Sequence, residues 1–173
     1  MSDFFEKVTS QQDAFKKLGS HIPGFNGYIE RQNRRAADKL LRETVARRFE
    51  EQWKRASQLQ EDMVGNGMIE FVDEMEKAAI KLRTFADKIK TATYGYSGFF
   101  DTTKINEDAL NTIYQFDAAF FDVAEQIASA LDNVEASFGD EEGMKAAMRH
   151  VVTLARNAVE LFNRRYETIN GAQ

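Results

Sequence analysis

The chain of 173 residues contains no cysteine and only two histidines. Without cysteine it has no disulfide, no thiolate nucleophile and no cysteine-ligated zinc, iron–sulfur or haem centre. This composition is compatible with the cytoplasm, where we expect the protein. Di-metal helical bundles use Glu-x-x-His motifs on two helices, and neither His21 nor His150 has glutamate at that spacing. We therefore expect no metal and no cofactor.

Long apolar runs and proline are also scarce. No segment reaches the roughly 20 apolar residues that a transmembrane helix needs. Residues 1–18 mix acids and lysines with phenylalanines, so we expect neither a secretory signal nor a membrane span. The one proline, Pro23, and a charged fraction of 29% are typical of a soluble helical protein. We predict an all-α fold.

Apolar residues recur every three or four positions along four long segments, which is the pattern of amphipathic helices. The break Gly65-Asn66-Gly67 between the first two segments predicts a helical hairpin turn. An up-down-up-down four-helix bundle is the economical arrangement of these segments. The predicted core positions are Ala37, Leu41, Val45, Phe49, Trp53, Ala56, Leu59, Met63, Met68, Phe71, Val72, Met75, Ala78, Ala79, Leu82, Phe85, Ala86, Ile89, Ile113, Phe116, Phe120, Ala124, Ile127, Leu131, Val134, Met144, Met148, Val151, Leu154, Ala155, Ala158, Leu161, Phe162 and Ile169.

The residues before the bundle form a smaller accessory unit. Residues 1–18 predict a short amphipathic helix, which we expect Gly19 to end. Residues 19–27 combine Pro23 with several glycines and predict a loop. Residues 28–173 then form the bundle, and the whole chain is a single domain.

The predicted topology assigns each charged residue to one end of the bundle. The basic end, residues 28–45, 80–120 and 155–173, carries thirteen basic and ten acidic residues. The acidic end, residues 46–79 and 121–154, carries seven basic and fifteen acidic residues. The molecule, with a net charge of −5, is therefore expected to be electrically polarised along its axis.

The first long helix carries pairs of acid and base four residues apart, in the order that stabilises a helix surface. The pairs are Glu30/Arg34, Asp38/Arg42, Glu43/Arg47, Glu50/Lys54 and Glu51/Arg55. Arg31, Arg35 and Lys39 belong to none of them. We expect an acidic group to face this basic stripe.

Two stretches rich in glycine and aromatic residues fall at the basic end. Residues 23–28 read P-G-F-N-G-Y, and residues 94–101 read Y-G-Y-S-G-F-F-D. One interpretation is that the aromatic rings fold inward and cap the bundle. The other is an exposed aromatic patch rimmed by cations, which is typical of interaction hot spots. The predicted binding residues are Phe25, Tyr28, Arg31, Arg35, Lys39, Tyr94, Tyr96, Phe99 and Phe100.

Asp117 is unusual because it falls in register with the apolar stripe that contains Ile113 and Phe120. A buried carboxylate needs a partner, and we expect Lys81, Arg83, Lys88 or Arg156 to provide the charge. The residue is then a structural salt bridge or, in the alternative interpretation, a functional acid.

These patterns favour a non-enzymatic interaction or scaffold protein. Its basic end would bind a protein partner or the acidic end of another copy. A bundle enzyme or metal- or cofactor-binding protein built on Asp117 is the alternative from another class. Peripheral membrane association through Phe4, Phe5 and Phe15 is a further alternative. We expect no nucleic-acid partner, because a net negative molecule repels phosphate.

Overall fold

The computed structural model describes residues 11–30, 34–92 and 107–171 of the chain. Within these residues the regular structure is entirely helical, so the all-α prediction is confirmed. The helices are Gln11–His21 (α1), Phe25–Glu30 (α2), Arg34–Gly65 (α3), Val72–Thr91 (α4), Glu107–Ala136 (α5) and Glu141–Gly171 (α6), with a 3₁₀ turn at Ile69–Phe71 before α4.

The four long helices α3 to α6 alternate in direction, as the up-down-up-down prediction requires. Arg165, near the end of α6, contacts Asp38 near the start of α3 and Asp117 near the start of α5. At the other end, Arg55 of α3 donates a hydrogen bond of 3.1 Å to Glu135 near the end of α5. Helices α3 and α5 are therefore parallel, and α6 is antiparallel to both.

The order of the helices around the bundle differs from their order in the chain. Helix α3 packs against α4 and α5, and α6 also packs against α4 and α5. Consecutive helices α4 and α5 therefore occupy opposite corners. Each of them has α3 on one side and α6 on the other.

A phenylalanine cluster in the middle of the bundle joins its four helices. The ring of Phe85 on α4 lies 4.1 Å from Phe49 of α3, 5.3 Å from Phe120 of α5 and 6.1 Å from Phe162 of α6, measured between ring centres. The predicted apolar stripes form the core around this cluster, although four of their members are only half-buried: Trp53, Met68, Val72 and Phe162. The side chain of Ile169 lies outside the described part of the structure. No described helix combines the length and apolarity that crossing a bilayer requires.

The predicted turn between α3 and α4 is confirmed. Helix α3 ends at Gly65, and Gly67 adopts a left-handed φ of 75°. The chain reversal is closed by the amide of Met68, which donates a hydrogen bond of 2.9 Å to the carbonyl of Met63. Glycine reaches this conformation without the steric penalty that a Cβ would bring.

Helix α1 differs from its prediction, because it continues through Gly19 to His21. Gly19 permits close packing here: a Cβ at this position would lie 3.1 Å from Oδ1 of Asn26. The reversal is confined to residues 22–24, where Gly24 has a φ of 81°. The 19–27 segment is therefore mostly helical, and α1 packs along α5.

Gly67→Ala is predicted to destabilise the α3–α4 turn. The cost comes from the left-handed backbone alone, because an added Cβ would have no atom within 4 Å. We expect the free energy of unfolding to fall by about 1–2 kcal/mol in a denaturant titration. Gly65→Ala is the matched control: its Cβ would also be unobstructed, and its helical position favours alanine by up to about 1 kcal/mol. Equal effects of the two substitutions would contradict this account of the turn.

Candidate functional site at the basic end of the bundle

A buried network of four charged side chains lies at the basic end. Arg165 of α6 directs its guanidinium at both carboxylate oxygens of Asp117, with 3.1 Å between Nη2 and Oδ2. The same Nη2 lies 3.4 Å from Oδ1 of Asp38 on α3. Asp38 in turn accepts a hydrogen bond of 2.8 Å from Nε of Arg42. The two cations and two anions cancel formally.

The network reaches the fourth long helix through Arg42. Its Nη1 donates to the backbone carbonyl of Lys90, near the end of α4, at 3.4 Å. The side chains of Arg165 and Asp117 are 0% and 2% exposed. A pair at this depth has lost its hydration, so its hydrogen bonds have to replace those that water provided. The network therefore ties the four helix termini at this end together.

Burial dominates the ionisation of Asp117. Desolvation raises the pKa of this carboxyl from its ordinary value of 3.8 to about 6. The charge and hydrogen bonds of Arg165 act in the opposite direction and are the smaller effect. Both carboxylate oxygens already accept hydrogen bonds from Arg165. This geometry matches the structural salt bridge.

The predicted burial of Asp117 is confirmed, but its predicted partners were wrong. Lys81, Lys88 and Arg156 are exposed, and Arg83 lies over the ring of Trp53. Sequence reasoning missed Arg165, although it lies four residues after Leu161 in the apolar stripe of α6. The signal that could have identified Arg165 is its position: an arginine that falls in register with an apolar core stripe. Asp38 and Arg42, predicted as a surface pair, were also missed as buried residues; each directly follows a core residue, Ala37 or Leu41.

Few of the predicted binding residues fall within the described side chains. Phe25 is 1% exposed and packs against Phe15 and Tyr114, with ring centres 5.5 Å and 5.9 Å away. It is therefore a core residue and offers no exposed ring to a partner. Lys39 is exposed, and its Nζ lies 3.9 Å from Glu43. The side chains of Tyr28, Arg31, Arg35, Tyr94, Tyr96, Phe99 and Phe100 lie outside the described part of the structure.

Most of the predicted acid–base pairs on α3 are replaced by other contacts. Asp38/Arg42 forms, but it is buried and belongs to the charge network. Glu50 pairs with Lys90 of α4 at 3.2 Å, and Arg55 pairs with Asp132 and Glu135 of α5. Partners on neighbouring helices therefore replace the expected ones for Glu50 and Arg55, whereas Glu43 and Glu51 pair with Lys39 and Arg48 of α3 itself. The Glu30/Arg34 pair lies outside the described side chains.

Helix α1 is fixed to α5 by polar and aromatic contacts at the edge of the bundle. Lys17 forms an ion pair with Asp122, and the His21 ring stacks on Phe121 with centres 4.5 Å apart. Phe15, a predicted membrane-contact residue, is half-buried against Phe25. The described part of the accessory helix is therefore docked on the bundle. Phe4 and Phe5 lie outside the described residues.

A small cavity of about 130 Å³ lies where α1, α3 and α5 meet. Its lining includes His21, Arg48, Gln52 and Glu125, and Oε1 of Gln52 is buried there without a hydrogen bond. Phe25 and Lys39, the two predicted binding residues whose side chains the structure describes, do not line it. Among the side chains that the structure describes, no three metal-ligating residues gather into a group that would hold an ion.

Comparison with known proteins does not assign the chain to a family. No family model matches it, and neither a curated protein nor a solved structure matches it.

Arg165→Met is predicted to lose much of the stability of the bundle. The substitution leaves the buried carboxylates of Asp117 and Asp38 without this shared cation, so we expect a loss of about 3–5 kcal/mol in the free energy of unfolding. Arg164→Met is the matched control, because the neighbouring residue is exposed and should change stability by about 0.5 kcal/mol or less. Urea denaturation of both variants tests this. Equal stability of the two variants would contradict a structural role for the network.

The ionisation of Asp117 should also make stability depend on pH. The folded protein holds this proton more tightly than the unfolded chain, because the pKa rises from 3.8 to about 6 on folding. The resulting stabilisation is fully present below pH 3.8 and is lost as the pH rises through about 6. As the pH rises from 3.8 to about 6, the free energy of unfolding of the wild type should fall by up to about 3 kcal/mol relative to that of Asp117→Asn. Denaturant titrations of both proteins at successive pH values measure this change. A difference in free energy of unfolding between them that does not vary with pH would contradict the prediction.

Proposed function

We propose that this protein is a non-enzymatic, cytoplasmic interaction or scaffold protein that uses its basic end to bind a protein partner or the acidic end of another copy. The observation that carries the proposal is the direction of the four long helices. The starts of α3 and α5 and the ends of α4 and α6 lie at one end of the bundle. The described parts of the basic segments are therefore gathered there, and the acidic segments at the other end.

The acidic end adds support, because its charges face solvent. Exposed acids lie on both sides of the α3–α4 turn, and they have no ion-pair partner among the described residues. These acids are Glu61, Glu70, Asp73, Glu74 and Glu76. Each would have to be neutralised by solution ions or by a basic partner. A cationic protein surface is therefore the ligand that suits this end.

Burial of the four-residue charge network does not weaken this polarity. Asp38 and Asp117 offset Arg42 and Arg165 formally, so the excess of basic residues at the basic end resides in other side chains. Contact between unlike ends of two copies is heterologous: one copy retains a free acidic end and the other a free basic end. Such contacts continue into chains or close into rings. Opposite charges would also speed encounter and fix its orientation.

Self-association is predicted to depend on salt. Light scattering at increasing protein concentration should show growing mass at low ionic strength and a return towards monomer as added salt screens the exposed charges. The change should be reversible on dilution of the salt. A protein that stays strictly monomeric at high concentration and low salt would rule out self-association. Growth that increases with salt would point to apolar contact instead.

A further inference from the structure

Four cations on the surface that α4 and α6 form together have no ion-pair partner among the described residues. They are Lys77, Lys81, Lys88 and Arg156, and all four are exposed. By contrast, Lys39 on α3 pairs with Glu43, and Lys90 on α4 pairs with Glu50. Apart from Arg164, the described cations at the basic end that lack an ion pair lie on this surface, which Lys77 extends beyond the basic end and which we call the α4/α6 face.

The three lysines share the side of α4 that faces α6. Arg83 lies over Trp53 at 5.1 Å and Lys90 pairs with Glu50, so these two residues mark the side of α4 that faces α3. Lys81 and Lys88 lie across the buried stripe from them, and Lys77 is one turn before Lys81. Because α4 packs between α3 and α6, this second side borders α6.

Arg156 lies on α6 at the height of these lysines. The rings of Phe85 and Phe162 are 6.1 Å apart, and α4 and α6 run parallel. Arg156 precedes Phe162 by six residues. Along the axis of the bundle it therefore lies at the level of the turn of α4 between Lys77 and Lys81. Of the acids in and beside this stretch, Asp87 is 4.0 Å from Arg83, while Glu74, Glu160 and Glu167 have no ion pair among the described residues, so the four cations outnumber these three acids. The face therefore keeps an excess of positive charge.

Apolar side chains lie among these cations. Ile80 is 56% exposed and Tyr166 is 48% exposed. Val152 and Val159, half-buried on α6, share the helix face of Arg156. A surface that mixes cations with exposed aliphatic and aromatic groups suits a protein partner that brings both acids and apolar residues. Nucleic acid would bring phosphates but no aliphatic surface.

The acidic end of the same protein has this complementary composition. Val64 and Ile69 on either side of the α3–α4 turn are 53% and 61% exposed. Glu61 and Glu70 lie beside them, and both are exposed without an ion pair among the described residues. We propose that the α4/α6 face binds the α3–α4 turn of a second copy, with the lysines facing these acids. This inference rests on the proposed self-association and names its two surfaces.

Charge reversal on each surface tests the inference. Lys81→Glu with Lys88→Glu removes the basic surface, and Glu61→Lys with Glu70→Lys removes the acidic one. In sedimentation velocity at low ionic strength, each double variant alone should lose at least tenfold in association constant. Their equimolar mixture should associate again, because the intact basic face of one variant meets the intact acidic turn of the other, and the two reversed surfaces are also opposite in charge. Lys16→Glu with Lys54→Glu is the matched control: it gives the same net charge at exposed, unpaired sites and should associate like wild type.

The outcomes separate this inference from the broader proposal. If wild type and both double variants associate equally, the two surfaces are wrong although self-association stands. If wild type associates but neither double variant alone nor their mixture does, direct pairing of the two surfaces is refuted.

If wild type stays monomeric, self-association itself fails. Binding of phosphatidylserine vesicles or a short oligonucleotide to such a monomer, lost in Lys81→Glu with Lys88→Glu, would assign the face to membrane or nucleic acid and overturn the inference.

Discussion

The contact between Arg165 and Asp117 is the interaction on which the basic end depends. It joins α5 to α6, and Asp38 and Arg42 extend it to α3 and to the backbone of α4. The Phe85 cluster makes an equivalent four-helix connection with apolar groups. Apolar packing tolerates a small rotation of a helix, whereas a forked guanidinium requires its acceptors at fixed positions. We infer that the charge network sets the register of the helices at this end.

Taking four charges into the interior also decides what remains on the surface. The buried cations are neutralised by buried acids, and α3 supplies surface partners for Lys39 and Lys90. Lys77, Lys81, Lys88 and Arg156 are left exposed on the α4/α6 face. Among the described residues, these unpaired cations therefore have a more specific location than the end of the bundle. They lie along two neighbouring helices, and the unpaired acids of the α3–α4 turn lie towards the acidic end.

The sequence was sufficient for the four long helices, their direction and most of the described core, because apolar periodicity reports which side of a helix is buried. It also identified Asp117 as buried, from its position in the stripe. It did not identify Arg165, which lies 48 residues further along the chain, because several cations were available and spacing within one helix does not specify partners on another. The same limit explains why Glu50 and Arg55 pair across helices. Gly19 was misread because a glycine that permits close packing resembles one that ends a helix.

Cross-linking with a zero-length reagent, which couples carboxylates to amines, tests the charge-directed assembly most directly. The sample is a mixture of ¹⁴N- and ¹⁵N-labelled protein at low salt. The pairs Lys90–Glu50 and Lys145–Glu141 lie within one molecule and serve as internal positive controls. The account predicts mixed-isotope peptides that join Lys81 or Lys88 of one copy to Glu61 or Glu70 of another. Formation of the internal links without any such mixed-isotope peptide would contradict it.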